Sequence, residues 1–118
     1  MVVRAQFGVE VESLDESTVV VRVVGEIDMS TTPDLLDRAL PAAESGPPGV
    51  VVDLSAVAFM GAAGLHVLEE LQARLRRRGG ELAVVAPGGI ALRVIEITGM
   101  AGPLGVAPSL AAARARLA

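Results

Sequence analysis

Three consecutive valines, Val50 to Val52, followed by Asp53 and Leu54, place the strongest constraint on how this chain can fold. A strand with one face in water alternates apolar and polar residues, whereas a strand that is apolar on consecutive residues is covered on both faces. A short loop and the segment Gly61–Gly64 then lead into a helical pattern. The stretch Asp53–Leu68 therefore predicts a βα unit whose loop is open to a ligand or partner.

Turn residues and side-chain periodicity divide the remaining chain into alternating strands and helices. The first strand is expected at Phe7–Glu12, with Phe7, Val9 and Val11 facing inward, and it forms an antiparallel hairpin with a second strand. The remaining strands are expected at Thr18–Val24, Val50–Leu54, Glu81–Ala86 and Leu104–Val106. The order β-β-α-β-α-β-α-β-α predicts a single α/β domain over residues 1–118, with the hairpin joined to a mostly parallel mixed sheet.

Helix boundaries follow from capping and breaking residues. Thr32 is expected to cap a first helix that begins at Pro33, and Pro41 predicts that this helix kinks or ends there. A second helix, from about Gly64 to Arg78, carries a core-facing stripe made of Leu65, Leu68, Leu71 and Leu75. Arg76–Arg78 suit its last turn because cations stabilise the carboxyl end of a helix dipole. Two further helices are expected at Ile90–Ile97 and after Ser109.

Composition excludes several classes of function. The chain has no cysteine, no tryptophan or tyrosine, one histidine and a net charge of −4, and all of its basic residues are arginine. These features argue against disulfides, thiolate or histidine-rich metal sites and direct nucleic-acid binding. The N-terminal residues lack the pattern of a signal peptide, and no apolar run approaches the roughly 18 residues that span a bilayer. We therefore expect a cytoplasmic protein without a cofactor, a bound metal or a membrane contact.

Two acids mark the expected carboxyl edge of the sheet, Asp28 after the second strand and Asp53 after the third. Together they could serve acid–base chemistry or bind Mg²⁺, but capping of turns by their side-chain oxygens is the simpler interpretation. Gly61–Gly64 could cradle a phosphate at a helix start, although the lysine of a P-loop is missing. His66 is expected on the helix surface. No nucleophile with a partner base is present, so an enzyme is not expected.

With these motifs in register, the chain resembles a STAS domain of the anti-sigma factor antagonist type. The likeness covers roughly Phe7 to Leu117. Receiver domains also have an acid at the end of a buried strand, but they use a nearby lysine and begin with a strand and a helix. This chain has no lysine and begins with a hairpin, so it does not resemble a receiver domain. The segments that carry the likeness are Gly25–Asp28, Val51–Ser55, Gly64–Leu68 and Ile90–Gly99.

The resemblance implies a regulator that acts by protein–protein contact. Such antagonists bind an anti-sigma factor, typically a serine kinase of the GHKL type or a degenerate relative, and so free a sigma factor. The kinase phosphorylates a serine in an Asp-Ser-Ser-Gly motif, and the matching residues here are Gly61, Ala62, Ala63 and Gly64. The phospho-acceptor position is thus Ala63, which has no hydroxyl group, and Ser55 matches a structural serine instead.

The residues expected to contact the partner are Asp28, Asp53, Met60, Gly61, Ala62, Ala63, Gly64, His66 and Val67. Phe59 is expected in the core, whereas Met60 could lie in the core or on the docking patch. An alternative function remains open at this point. Because both the acid and the serine of the family motif are replaced, the domain could instead sense a small ligand, such as a nucleotide or another anion, or serve as a signalling scaffold.

Overall fold

A computed structural model describes residues 6–117, so the two ends of the predicted domain 1–118 lie outside the described residues. It contains the nine elements in the predicted order. The strands are β1 (Gly8–Ser13), β2 (Thr18–Ile27), β3 (Gly49–Met60), β4 (Glu81–Val85) and β5 (Val106–Ala107). The helices are α1 (Thr32–Ser45), α2 (Ala62–Arg77), α3 (Gly89–Ile97) and α4 (Leu110–Leu117). No helix in this range is long and apolar enough to cross a membrane.

The five strands form one mixed sheet in which spatial order equals sequence order. β1 pairs antiparallel with β2, and the pairs β2–β3, β3–β4 and β4–β5 are parallel. Because parallel crossovers are right-handed, three successive steps in the same direction place α1, α2 and α3 on the same face. Their buried residues Leu35, Leu68 and Ile95 share one core accordingly. α4 covers part of the opposite face, where Ala113 packs with Val20, Val51 and Ala83.

The predicted hairpin is present, but the prediction that Val11 points into the core is wrong. Its side chain is 47% exposed, although Phe7 and Val9 are partly buried against the core as expected. β1 is an edge strand, and the helical layer does not extend over its second half. Alternation of apolar residues identifies the face of a strand but not how far the neighbouring layer covers it.

Of the two outcomes predicted at Pro41, a kink or an end, the end is wrong, because the first helix continues to Ser45. Pro41 is exposed, while the adjacent residues Ala39, Ala42 and Ala43 are buried against the sheet and α2. Packing of this alanine face compensates for the one backbone hydrogen bond that proline removes. The N-cap is Thr31 rather than Thr32, so Pro33 occupies the second helical position.

The third strand is longer than the valine run predicts, because it extends from Gly49 to Met60. Its second half, beyond Asp53, pairs with β2 alone, since β4 ends opposite Asp53. Gly25, with φ of 95°, allows β2 to follow this extension through an irregular register. A side chain at Gly25 would also meet the backbone of Phe7, with a Cβ–Cα distance of 3.0 Å.

The remaining boundaries agree with the sequence to within a few residues. The leucine stripe of α2 is buried as predicted. Ser109 caps α4, since its hydroxyl oxygen accepts a hydrogen bond from the backbone of Ala112 at 3.1 Å. The fifth strand is displaced from its expected position, because Leu104 lies fully buried in the preceding turn and pairing with β4 involves Val106 and Ala107.

Candidate functional site

Asp28 organises the loop between β2 and α1. Its Oδ1 accepts hydrogen bonds from the backbone and hydroxyl of Ser30, at 2.9 and 2.6 Å, and from the backbone of Thr31 at 3.2 Å. The hydroxyl of Thr31 donates to the carbonyl of Glu26 and accepts from the backbone of Asp28. Asp28 therefore caps a turn, which was the simpler of the two interpretations of this acid.

These hydrogen bonds hold the pKa of Asp28 below its ordinary value, with the hydroxyl of Ser30 as the largest cause. A carboxyl whose pKa is lower in the folded state stabilises the fold at neutral pH, and that contribution is lost as the pH falls through the folded-state pKa. We expect Ser30→Ala to raise the pKa of Asp28 toward its ordinary value, as measured by NMR titration of the carboxyl carbon. Ser55→Ala removes a comparable hydroxyl from Asp53 and should leave the titration of Asp28 unchanged. Equal curves for Ser30→Ala and wild type would refute this account.

The start of α2 lies directly beside this loop. Ile27 and Met60 are neighbours in the β2–β3 register, and the backbone N–H of Gly61 donates to the carbonyl of Ile27 at 3.0 Å. Ala62 is exposed, and Gly61 and Ala63 are partly exposed. The sequence thus correctly placed Asp28 and residues 61–63 at one edge, where two helices begin.

Three of the predicted contact residues are buried, and of the two positions left open for Met60 the structure has the core. Met60 is fully buried and Gly64 is buried and has no side chain, so neither presents a side chain to a partner. Val67 is also mostly buried, and it reaches the surface only where it lines a groove between α1 and α2. Gly64 permits close packing, because a Cβ at this position would lie 2.5 Å from Cγ of Met60. Phe59, expected in the core, is instead 42% exposed. Successive side chains of a strand point to opposite faces of the sheet, and in β3 the side chain of Met60 is the one that faces the helices.

Asp53 lies apart from this edge, also contrary to expectation. It sits inside β3, seven residues before the strand ends at Met60, opposite Arg22 of β2 and Val85 of β4. Its Oδ1 accepts hydrogen bonds from the backbone and hydroxyl of Ser55, at 2.9 and 2.6 Å, and its Oδ2 is 4.0 Å from Nε of Arg22. Asp53 and Ser55 therefore form a local pair on the face of the sheet away from α2.

A groove separates the first halves of α1 and α2. Its volume is about 670 Å³, and it is lined by Met29, Thr32, Pro33, Leu36, Asp37, Ala63, His66, Val67 and Glu70. His66 is exposed as predicted, with Nδ1 4.0 Å from a carboxylate oxygen of Glu69. Sequence reasoning missed the contribution of α1 to this surface. The sequence signal that was available is Met29, a long apolar residue between Asp28 and Ser30 in a polar loop.

The described residues offer little for covalent or metal chemistry. Residues 6–117 contain no group of three or more histidine, cysteine, aspartate or glutamate side chains that could hold a metal ion. The groove contains one imidazole and two carboxylates but no hydroxyl paired with a base. Its mainly apolar lining and its position at the start of two helices are typical of a surface for recognition.

Comparison with known proteins agrees with this architecture. The family model of the STAS domain matches residues 9–113. The chain is a STAS domain. Its relatives include the anti-sigma-F factor antagonist RsfA of Mycobacterium tuberculosis, to which this STAS domain is 34% identical over 97 residues, covering 80% of this chain and 75% of RsfA. It is also 29% identical over 86 residues to an anti-sigma-B factor antagonist of Bacillus subtilis, covering 73% of this chain and 78% of that protein.

A solved structure resembles this STAS domain along almost its whole length. The crystal structure of an anti-sigma factor antagonist from Mycobacterium paratuberculosis superposes with a TM-score of 0.87 at 36% identity, covering 95% of this chain and 94% of that one. The resemblance and the α/β fold predicted from the sequence are therefore confirmed.

Proposed function

We propose that this STAS domain is a regulator that binds an anti-sigma factor by protein–protein contact, without catalysis, and so releases a sigma factor. Membership of a family whose relatives are anti-sigma factor antagonists supports the general role. The observation that supports this particular edge is the hydrogen bond between Gly61 and Ile27, which joins the start of α2 to the Asp28 loop. A partner could contact both at once.

The predicted contact set is revised by burial. Asp28, Gly61, Ala62, Ala63 and His66 remain as contact residues in this proposal. Met60 and Gly64 act from beneath the surface by fixing the position of α2, and Val67 contributes only where it lines the groove between α1 and α2. Asp53 is not part of the contact surface, because Arg22 and Ser55 engage it on another face.

The proposal extends to regulation, because Ala63 stands at the phospho-acceptor position that the family resemblance assigns. A phosphate at this position would add a charge of about −1.5 to −2 to the start of α2. Ala63 cannot form a phosphoester, and it lines a groove that already contains the carboxylates of Asp37 and Glu70. The usual site for switching the antagonist off is therefore absent.

Charge introduced at residue 63 should weaken binding to the anti-sigma factor. We expect Ala63→Glu to raise the Kd at least tenfold, about 1.4 kcal/mol, when affinity for an anti-sigma factor encoded in the same genome is measured by calorimetry. Ala73→Glu is a matched control, because Ala73 is exposed on α2 but does not line the groove. It should bind within twofold of wild type. Equal affinities of the two variants would show that the start of α2 is not the interface.

Phosphate transfer provides an independent test of the regulatory part. After incubation with the anti-sigma factor and ATP, mass spectrometry should find no phosphate on the wild-type domain if the partner is a kinase. The double variant Gly61→Asp, Ala63→Ser should gain one phosphate at residue 63, whereas Ala62→Ser alone should gain none. A phosphate on Ser55 or any other residue of the wild-type chain would contradict the proposal.

A further inference from the structure

Within residues 6–117, the side-chain hydrogen bonds and ion pairs that join α1 to α2 lie at the carboxyl ends of the two helices, called here the tied end. The groove lies toward their amino-terminal ends, called here the open end. Near their carboxyl ends, Arg74 of α2 forms an ion pair with Glu44 of α1. The guanidinium of Arg78 donates hydrogen bonds to the carbonyls of Ala42 and Ala43. The lining residues come instead from the loop before α1, the first two turns of α1 and the first three turns of α2.

Each wall of the groove is one face of a helix. On α1, Leu36 and Asp37 lie three and four residues after Pro33, which places each of them on the same face of the helix as Pro33. On α2, the lining residues recur at the same helical spacing: Ala63, His66, Val67 and Glu70. The apolar side chains form the floor, and Met29, which is 84% exposed, lies at the open end. The shape suits an elongated apolar segment.

The charged side chains that line the groove indicate which kind of segment it can bind. Asp37 and Glu70 lie further along their helices than the apolar residues Pro33 and Ala63, and no arginine lines the groove. Glu70 pairs with Arg74 of its own helix, whereas Asp37 forms no ion pair with any residue between 6 and 117. A carboxylate without a partner beside an apolar floor attracts a cation on an amphipathic segment.

We propose that this groove receives an amphipathic segment of the anti-sigma factor that carries an arginine or lysine. Apolar side chains of that segment pack on Leu36 and against Met29, and its cation approaches Asp37 and Glu70. The proposal rests on the proposed function, since it names the element of the same partner that docks beside Ala63. It also gives the segment a direction, with its apolar part toward the open end and its cation toward the tied end.

Two pairs of variants test the groove against α3, a helix that does not line it. Met29→Ser and Asp37→Lys alter the apolar end and the charged side of the groove. Ile97→Ser and Glu96→Lys make the same kinds of change on α3, where Ile97 is 74% exposed and Glu96 is also exposed. All four side chains are exposed, and circular dichroism and thermal unfolding should show that each variant folds.

Affinity for the anti-sigma factor should fall about tenfold or more for each groove variant and stay within twofold for each α3 control. The loss caused by Asp37→Lys should shrink as salt is raised, because exposed charges are screened, whereas the loss caused by Met29→Ser should not.

If the groove variants bind like their controls while Ala63→Glu still binds weakly, the groove proposal fails and the proposed function stands. If the wild-type domain binds no anti-sigma factor, both fail. If Met29→Ser instead abolishes self-association of the domain and leaves the partner's affinity intact, a second copy occupies the groove and the proposal is overturned.

Discussion

Gly64→Val should destabilise this STAS domain by about 3 kcal/mol or more, and Gly64→Ala by about 1 to 2 kcal/mol. A Cβ at this position would lie 2.5 and 2.9 Å from Cγ and Sδ of Met60 and 3.0 Å from Cγ2 of Ile27. Both neighbours are buried in the core, so neither can move into solvent. Alanine is favoured over glycine in a helix by about 1 kcal/mol, which offsets only part of the steric cost.

Urea unfolding at equilibrium measures these losses, with Gly102→Ala as the control. A Cβ at Gly102 would meet nothing within 4 Å, so this variant should stay within about 0.5 kcal/mol of wild type. Combining Gly64→Ala with Met60→Ala should cost less than the sum of the two single changes, because the smaller side chain removes the clash. A free energy of unfolding for Gly64→Ala equal to that of wild type would contradict the tight packing of Gly64 against Met60.

Arg78→Met should cost about 2 kcal/mol, because one guanidinium serves four carbonyl oxygens. Its Nε donates to Ala43 at 2.7 Å, and its Nη2 donates to Ala42, Gly46 and Pro47 at 3.2, 2.7 and 2.9 Å. α1 has no basic residue in its own last turn. The free carbonyl groups at its carboxyl end therefore accept hydrogen bonds from Arg78, the C-cap residue of α2. Arg78→Lys should recover only part of the loss, since an ammonium group lacks the planar fork of donors.

The neighbouring arginine provides the control for this prediction. Arg77 is exposed and makes no side-chain hydrogen bond or ion pair with another residue in the range 6–117. Arg77→Met should therefore change the free energy of unfolding by less than about 0.5 kcal/mol. Similar losses for the two variants would mean that charge near the end of α2, and not the bonds to α1, is responsible. That result would support the dipole role that the sequence predicts for all three arginines.

The sequence predicts the order of elements and the family because these depend on periodic burial and local turn residues. The leucine stripe of α2 and the cap at Ser109 are examples in which local chemistry decides the outcome. Pro41 is a contrary example, since buried alanines on either side keep it helical despite its propensity. Asp53 was misplaced because the polar residue in a valine run resembles a strand end, whereas the strand continues wherever a neighbouring strand can pair with it.

The candidate site was less predictable, because it depends on two helices that are distant in sequence. The motif comparison identified Ala63 and its neighbours but could not show that Met60 and Val67 face inward. The groove also requires Leu36 and Asp37, which belong to a helix about thirty residues earlier and form no motif with α2. Only the packing of α1 on α2 brings these residues together, and Arg78 joins the carboxyl ends of the two helices.

The strand order has a consequence for how the chain acquires its structure. Because each strand lies beside the one that precedes it in the sequence, no strand has to insert between two strands that are already in place. Contacts close over short loops first, which lowers the entropic barrier relative to sheets whose central strand comes last. The sheet can thus grow from the hairpin outward as the chain leaves the ribosome, with β5 completing the sheet and α4 covering part of its opposite face at the end.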